Sequence, residues 1–188
     1  DDVVVLSNLG NIGEQGYFID FGFQEMYDLS SSIETNSDLY DVHDYGNIIG
    51  SKGDDIILGS VSHGVGISGG VGDDVLYGNS LDSLRYDLEE ELATEELIGS
   101  AITKINNHVE INLGNDELKL NDILIDSRSA EDMWGNTDTI LGIENAYGTS
   151  GNDIIYGSEN DNQIYAGNGD DLIYGGSGSD ILDGGEGQ

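Results

Sequence analysis

Carboxylate and amide side chains recur at a fixed interval in the C-terminal part of this sequence. Counted in nines from Gly148, the chain reads GTSGNDIIY, GSENDNQIY, AGNGDDLIY and GGSGSDILD, followed by GGEGQ. The sixth position of each complete unit carries an oxygen-bearing side chain, from Asp153, Asn162, Asp171 and Asp180. Carboxylate and carbonyl oxygens are hard ligands that suit Ca²⁺ better than Zn²⁺ or a softer metal. The repeated pattern therefore predicts that these loops bind calcium.

The residues around these side chains predict the elements that hold them. Each unit opens with turn-forming glycines and ends in a short apolar run, whose eighth residue is Ile155, Ile164, Ile173 or Leu182. This pattern resembles the RTX, or hemolysin-type, calcium-binding repeat family. The resemblance implies an all-β fold, a parallel β-roll in which each unit forms a loop and then a short strand. Units 18 residues apart in the sequence would then stack, and calcium would bind between their loops.

A second, shorter array precedes the first. Its units are GSKGDDIIL from Gly50, a degenerate GSVSHGVGI from Gly59 and, after one extra residue at Ser68, GGVGDDVLY from Gly69. A fading unit, GNSLDSLRY, ends this array over residues 78–86. The two arrays make up the part of the chain that resembles the family.

Stacking predicts which upstream loops hold an ion. Asp55 and Asp74 are 19 residues apart because of the extra residue, and we expect a bulge in the degenerate half-turn to absorb the difference. On the opposite side of the roll, Gly64 and Ser83 take the equivalent positions, and neither has a carboxylate. The sequence therefore predicts one upstream site on the Asp55 side and none on the other.

The downstream pairs differ in charge. Asp153 and Asp171 are 18 residues apart in well-formed loops, which predicts the strongest downstream site. Asn162 and Asp180 have the same separation, but the amide is neutral and weaker binding is expected.

The segment from 138 to 153, DTILGIENAYGTSGND, resembles the opening of the β-roll in serralysin-type secreted metalloproteases. There a shortened half-turn supplies a Glu in place of the Asp. The resemblance implies that Glu144 and the carbonyl of Gly142 face the Asn162 loop, and that Asp138 stacks below Asp153.

The family also contributes backbone carbonyls from stacked loops. In the upstream site the resemblance implies the carbonyls of Ser51, Gly53, Gly69 and Val71. In the downstream site it implies those of Thr149, Gly151, Ala166 and Asn168, although Ala166 replaces the usual Gly. Further candidate ligands from the same comparison are Trp134, Asn136, Gly148, Ser150, Gly157, Ser158, Glu159, Asn160, Gly175 and Ser177.

Four segments are predicted along the chain. Residues 1–45 form an N-terminal β flank with two strand-like runs, 46–86 the first repeat block, 87–137 an insertion, and 138–188 the second block, truncated at its C-terminus. In the insertion, Leu88, Leu92 and Leu97 have helical spacing among acidic residues, and 108–113 alternates like a half-buried strand. We expect this insertion to cap or cover the roll. Gln188 falls inside a repeat unit, which predicts a fragment of a longer protein.

Composition supports a cation-dependent fold. A net charge of -33 opposes compaction and makes nucleic acid and anionic membranes poor partners. Without Cys there are no disulfides or thiolate metal sites, and no apolar run is long enough to span a bilayer. The three His lie outside any H-E-x-x-H motif and no G-x-S-x-G elbow occurs, so no catalytic residue is predicted and the chain is not expected to be an enzyme.

The predicted function is a calcium-binding module of a secreted or surface-exposed bacterial protein, monomeric, that folds on calcium after type I export. Its parent could be an extracellular enzyme (a protease, lipase or polysaccharide-modifying enzyme), an adhesin that uses the module as a spacer, or a toxin. One outward face is more apolar, with Ile154, Tyr156, Leu172 and Tyr174, and we expect the insertion or a neighbouring domain to cover it. Its tyrosines predict a stacking ladder, with a sugar-binding platform as the alternative.

Overall fold

The structure of the chain is a computed structural model. It describes residues 3–5, 17–20, 25–28, 47–50, 53–59, 64–88, 108–115, 118–120, 123–125 and 127–187. Ser51 and most of the predicted acidic helix, including Leu92 and Leu97, lie outside these residues, which contain one short helical turn at 86–88. The strands are β1 Val3–Val5, β2 Tyr17–Asp20, β3 Glu25–Asp28, β4 Asn47–Ile49, β5 Ile56–Leu58, β6 Gly66–Ser68, β7 Val75–Tyr77, β8 Ser83–Arg85, β9 Glu110–Asn112, β10 Leu118–Leu120, β11 Ile123–Ile125, β12 Ser129–Glu131, β13 Thr137–Leu141, β14 Asn145–Tyr147, β15 Ile154–Tyr156, β16 Gln163–Tyr165, β17 Leu172–Tyr174 and β18 Ile181–Asp183.

Successive strands of the repeats alternate between two facing sheets. One sheet has the order β1-β4-β6-β8-β14-β16-β18 and is parallel throughout, and the other has the order β17-β15-β9-β12-β13-β7-β5-β2-β3. Equivalent strands two units apart pair in register, as Ile155 does with Ile173. The predicted all-β parallel β-roll is confirmed.

The core lies between the sheets and, among the described side chains, is formed mainly by the central residues of the repeat strands, with contributions from residues beside the strands such as Val109 and Leu113. Because a strand alternates its side chains, a three-residue strand points only its middle residue inward. The central residues with no solvent exposure are Ile48, Ile57, Ile67, Leu76, Leu84, Ile111, Ala130, Ala146, Ile155 and Ile164. The eighth position of the repeat is therefore the core position, as predicted for Ile155 and Ile164.

The described strands of the insertion are an integral part of the roll, whereas residues 89–107, on which the expected cap or cover also depends, lie outside the described residues. Strands β9 and β12 lie between β13 and β15 as members of the larger sheet, and β12 runs antiparallel to both β9 and β13. In the other sheet β8 pairs directly with β14. The predicted strand at 108–113 is present as β9. Its alternating apolar residues Val109, Ile111 and Leu113 are fully buried in the core. The β10–β11 hairpin forms a separate antiparallel pair.

The inserted strands β9 and β12 also change the register of the larger sheet by two residues. Toward β7, Ile140 is level with Leu76. Toward β12 it is Asp138 that is level with Ala130, and Ala130 continues the row of Ile111 and Ile155. A shift of two residues keeps every side chain on its own face of the sheet. The upstream and downstream halves therefore share one core, but their loop rows are offset.

The extra residue of the upstream array is not Ser68. Ser68 belongs to β6, where it pairs with Ile49, and the centre of β6 is Ile67. The half-turn before Ile67 is therefore one residue longer than the repeat, and the half-turn before Leu84 is one residue shorter. Counting by nines therefore found the extra residue but placed it after Ile67, and it missed the shortened half-turn before Leu84.

The N-terminal strands continue both sheets. β1 pairs with β4 and β2 with β5, both in parallel, while β3 pairs antiparallel with β2 at the edge. The two predicted strand-like runs of residues 1–45 contain β1 and β2, whereas β3 lies beyond the second run.

Candidate metal sites

The downstream site lies between loops 148–153 and 166–171. Asp153 is 1% exposed, and its carboxylate accepts hydrogen bonds from the Thr149 N–H (2.6 Å), the Thr149 hydroxyl (2.9 Å) and the Val109 N–H (2.9 Å). The N–H of Asp153 donates to Oδ1 of Asp171 at 2.8 Å. The two aspartates predicted to stack are therefore brought together.

Backbone oxygens converge on the same place. A Cβ on Gly148 would collide with Oδ2 of Asp153 and with the Ala166 carbonyl, so these two oxygens flank the glycine. Gly167 has φ +112°, and a Cβ there would collide with the Thr149 carbonyl. Only glycine adopts this φ readily while leaving room for the carbonyl. The Gly151 carbonyl approaches the stacked loop in the same way at Gly169.

The donors of this site fit a calcium ion. Oδ2 of Asp171 is buried without a hydrogen-bond partner, an arrangement that is costly unless another group compensates for it. Among the described residues, acidic side chains do not gather in threes or more, so the remaining ligands must come from backbone carbonyls. Two carboxylates with several carbonyls match the all-oxygen shell of Ca²⁺. Asp153, Asp171, Thr149, Gly151 and Ala166 would hold the ion.

The upstream site repeats this arrangement. Asp55 is 1% exposed, and its N–H donates to Oδ1 of Asp74 at 2.6 Å. A Cβ on Gly50 would collide with the Gly69 carbonyl and approach Oδ2 of Asp55 to 2.5 Å. Ile57 and Leu76 pair in register despite the longer separation, as the predicted bulge requires, and residues 60–63 of that half-turn lie outside the described residues. Of the other predicted ligands, Gly53 faces Gly72 of the stacked loop, and Val71 is buried.

Asp138 stacks on Asp74 and not on Asp153, so its predicted partner was wrong. The N–H of Asp74 donates to Oδ1 of Asp138 at 3.1 Å, and the Tyr86 hydroxyl donates to Oδ2. The inserted strands β9 and β12 separate β13 from β15, which places Val109 beside Asp153 instead. The pairing of β13 with β7 thus extends the upstream row of aspartates to three members, Asp55, Asp74 and Asp138.

Glu144 faces the Asn162 loop, as predicted, and its carboxylate is fully engaged. Oε2 accepts hydrogen bonds from the Ser158 hydroxyl and from Nδ2 of Asn162 (3.3 Å), and Oε1 accepts one from Nδ2 of Asn160 (3.1 Å). The guanidinium of Arg128 lies 3.7 Å from Oε1. We call this arrangement the glutamate junction. The predicted carbonyl donor Gly142 has φ +79° and lies against the Gly78 carbonyl.

The amide of Asn162 has a defined orientation. Its Oδ1 accepts the Ser158 N–H at 2.8 Å, just as Asp153 accepts the Thr149 N–H. Its Nδ2 consequently points to Glu144, donating to the backbone carbonyl at 2.7 Å. The amide therefore offers hydrogen atoms, not an oxygen, to the glutamate junction.

The terminal site lies between loops 157–162 and 175–180. The N–H of Asn162 donates to Oδ1 of Asp180 at 3.0 Å, and a Cβ on Gly157 would collide with the Gly175 carbonyl. Ser177 donates its N–H to the Ser158 carbonyl at 3.0 Å. The predicted pair is thus stacked, with one carboxylate fewer than the downstream site.

Several other candidate ligands lie at the edge of these sites. Ser150, Glu159 and Asn168 are exposed; Glu159 accepts from Nδ2 of Asn115 at 3.3 Å, and Asn168 forms a parallel bridge with Glu186. Trp134 and Asn136 lie in the β12–β13 turn, where their N–H groups donate to Asp132.

Asp82 is a residue that counting by nines missed. It is fully buried, and its Oδ1 accepts the N–H of Val65 at 3.0 Å, which is the bond that Asp171 makes with Asp153. Its Oδ2 accepts two hydrogen bonds from Asn79. The shortened half-turn moves the aspartate position from Ser83 to Asp82, and the signal was its place two residues before the core residue Leu84. Val65 offers no second carboxylate on the facing loop.

Burial controls the protonation of these carboxylates. Burial raises the pKa of Asp153, and the charge of Asp171 adds to this, against hydrogen bonds from Thr149 and Val109 that lower it. Burial likewise raises the pKa of Asp138 to about 7, partly offset by the hydrogen bond from Tyr86, and that of Asp132 to about 8, helped by the charge of Asp138. A divalent cation at these positions would replace the protons that the buried oxygens otherwise favour.

Outward tyrosines lie close together along both sheets. Tyr147 and Tyr165 are stacked, with ring centroids 4.8 Å apart and ring planes at 17°, and the Arg85 guanidinium lies 4.4 Å from the centroid of Tyr147. On the face where the ladder is predicted, the rings of Tyr156 and Tyr174 are tilted by 51° with centroids 6.0 Å apart. The stacked pair therefore lies on the other sheet. On the more apolar face Tyr174 is 60% exposed, so the inserted strands leave this end of the face uncovered.

In the part of the chain that the structure describes, no helix has the length and apolar character needed to cross a membrane. A family model described as the RTX calcium-binding nonapeptide repeat matches four copies, at residues 67–80, 138–172 and 156–188. None of the curated proteins matches the chain.

Proposed function

Because the chain carries RTX calcium-binding nonapeptide repeats, we propose that it is the calcium-gated folding module of a secreted bacterial protein. The repeats bind Ca²⁺, and the module they form is structural. The observation that carries the proposal is the pair of buried rows of aspartates at the ends of the strands, Asp55 with Asp74 and Asp153 with Asp171. Asp55, Asp74 and Asp153 are each 1% exposed, and Asp171 is partly buried with a buried Oδ2, so folding must bring like charges together.

The charge of the chain supports folding that depends on calcium, as opposed to local stabilisation of a chain that is already folded. The chain has thirty-eight acidic residues and five basic ones, so charge repulsion opposes compaction in the absence of cations. Extracellular calcium modules bind with dissociation constants of about 10⁻⁴ to 10⁻³ M, and such sites stay empty at cytosolic calcium. An ion at ten times its dissociation constant stabilises the folded state by about 1.4 kcal/mol. A few such sites are enough to decide the state of a marginally stable domain.

The biological role follows from where calcium is abundant. Repeats of this type are typical of secreted bacterial proteins, and an unfolded chain in the cytosol suits passage through a type I export channel. Folding then takes place outside the cell, where calcium fills the loops. The module would stabilise or position an enzyme domain in one kind of parent protein, and act as a stiff spacer in an adhesin or as the repeat block of a toxin in others. The parent sequence discriminates among these.

Far-ultraviolet circular dichroism during a calcium titration of chelator-treated protein tests the proposal, with magnesium as the control. We expect a cooperative gain of β-structure as calcium approaches the millimolar range, and little change with magnesium, which prefers an octahedral shell that retains water. Full β-structure in chelator would contradict the switch and reduce calcium to a local stabiliser.

A further inference from the structure

Loop 166–171 contains a chemically labile pair of residues. Asn168 is followed by Gly169, and no other asparagine of the chain is followed by glycine. Asparagine is least stable in this pair, because a following residue without a side chain lets its backbone nitrogen approach the asparagine side chain. Asn168 is also exposed, so water reaches it. The pair can therefore undergo deamidation.

Deamidation of this pair needs only water as a co-reactant. The backbone nitrogen of Gly169 attacks Cγ of Asn168, the bond from Cγ to the side-chain nitrogen breaks, and ammonia leaves with the proton of the peptide N–H. Water then opens the resulting succinimide ring at either of its two C–N bonds. One product is aspartate. The other is isoaspartate, whose main chain runs through the former side chain and contains an additional methylene group.

In the folded chain the attacking nitrogen is held by the next loop of the stack. The N–H of Gly169 donates to the Glu186 carbonyl at 2.8 Å, and Asn168 forms a parallel bridge with Glu186. The Glu186 N–H donates back to the Gly167 carbonyl at 3.0 Å. On the opposite side, Gly169 has φ +128° and a Cβ there would collide with the Gly151 carbonyl. Ring closure requires this peptide to lose its hydrogen bond and rotate, and the stacked loops oppose both.

The labile pair also divides the calcium ligands of its loop. The Ala166 carbonyl precedes the pair and the Asp171 carboxylate follows it, and both belong to the downstream site. An additional methylene group between them would shift one donor relative to the other. Conversion of Asn168 to isoaspartate should therefore abolish binding of the downstream ion.

We propose that Asn168 is a site of spontaneous deamidation in the unfolded chain, and that the stacked loop 184–187 protects it once the roll has folded. This inference rests on the proposed calcium-dependent folding and adds a covalent consequence, because a chain kept long without calcium would lose its downstream site irreversibly. Calcium at ten times the dissociation constant of one ion lowers the unfolded population about tenfold. Deamidation through the unfolded population should slow by the same factor.

Peptide mapping by mass spectrometry tests the site on the wild-type chain. Samples are incubated in parallel in calcium, in chelator, and in chelator with urea as the unfolded reference. We expect conversion at Asn168 in the urea reference and at least about tenfold slower conversion in calcium. Asn152 is the internal control, because it is exposed but is followed by Asp153, whose side chain hinders the attack. It should convert more slowly than Asn168 in the urea reference.

Asn168→Gln is the control for the effect on calcium binding. Glutamine keeps a side-chain amide, but its longer side chain closes the corresponding ring much more slowly. After incubation in chelator with urea and transfer to calcium, native mass spectrometry should show one bound ion fewer in the converted wild-type chain. Asn168→Gln should keep the full number of ions after the same treatment.

Two neighbouring glycines test the protecting loop. Gly185 has φ +68° and a Cβ there would collide with the Gly167 carbonyl, so Gly185→Ala should displace loop 184–187. Gly184→Ala is the matched control, since the nearest atom to its Cβ, Cδ1 of Ile173, is 4.0 Å away. In calcium, Gly185→Ala should raise the rate of conversion at Asn168, and Gly184→Ala should leave it at the wild-type value.

Circular dichroism of the same samples separates this inference from the proposed function. If calcium folds the chain and Asn168 reacts as fast as in urea, the protection is wrong while the proposed function stands. Absence of conversion at Asn168 in urea, or equal rates for the two folded alanine variants, would also overturn the inference. If calcium does not fold the chain, both fail. If the chain is folded in chelator, the calcium dependence fails, and the rate in the folded chain relative to urea decides the protection.

Discussion

At the scale of single residues, the choice between aspartate and asparagine determines whether a loop presents a hydrogen-bond acceptor or a donor to the stacked loop. Asp153 and Asn162 occupy the same position of consecutive units, and both accept the N–H of the second loop residue. The second oxygen of Asp153 is an acceptor, whereas the corresponding nitrogen of Asn162 is a donor that satisfies Glu144. The glutamate junction is therefore held by the protein's own hydrogen bonds.

Asn162→Asp should make this junction depend on calcium. The substitution removes the two hydrogen bonds to Glu144 and places a second carboxylate beside it, which should lower the free energy of unfolding at limiting calcium by about 1–3 kcal/mol. Saturating calcium should restore the loss, because the new pair resembles the downstream site. Urea unfolding at limiting and at saturating calcium measures both effects.

Asn152→Asp is the control for added charge. Asn152 is exposed and accepts the Asp170 N–H, and other loops carry an aspartate at this position, as at Asp54 and Asp161. We expect little change in the free energy of unfolding at limiting calcium. Equal losses in the two variants would mean that net charge, and not the Glu144 contact, is responsible.

At the scale of elements, the inserted strands β9 and β12 are part of the solenoid. β9 lies between β15 of the repeats and β12, and its core residue Ile111 is level with Ile155. A cap would leave the repeat core intact when weakened, whereas an integral strand would not.

Ile111→Ala should therefore destabilise the whole domain. Removing a buried isoleucine side chain costs about 2–5 kcal/mol, and the loss should appear in a single cooperative transition. Thermal unfolding in saturating calcium measures it. Leu172→Ala is the control on an outward position that is 43% exposed, where the change should be within about 1 kcal/mol. A separate early transition in Ile111→Ala would show that the insertion folds independently of the repeats.

At the scale of the whole molecule, protons and calcium compete for the buried carboxylates. The folded pKa values of Asp132, at about 8, and of Asp138, at about 7, are raised above those of the unfolded chain. Between about pH 4 and 8 the folded state therefore holds more protons, and stability falls as pH rises through this window. Surface repulsion acts in the same direction at low salt.

In chelator, the folded fraction should therefore fall from about pH 5 to about pH 8, and calcium should flatten this dependence because it displaces the protons. Far-ultraviolet circular dichroism across this range provides the measurement. Added sodium chloride should weaken the contribution of exposed charges while leaving that of buried groups. A folded fraction in chelator that rises with pH would contradict the burial of protonated carboxylates.

The sequence by itself determined the repeat, the oxygen ligands and the parallel β-roll, because each depends on residues within one or two units. A glycine, an aspartate and an apolar residue at fixed positions specify a loop and a strand, and stacking of like units then places Asp153 beside Asp171. Only the tertiary structure decided that Asp138 joins Asp74 and that Asp82 replaces Ser83. These two outcomes depend on a strand pairing across the insertion and on half-turns of unequal length. Consecutive side chains of a strand alternate between the two faces of the sheet, so a shift of two residues keeps the apolar side chains buried. The repeat therefore allows more than one register, and the packing of the core selects the register that is observed.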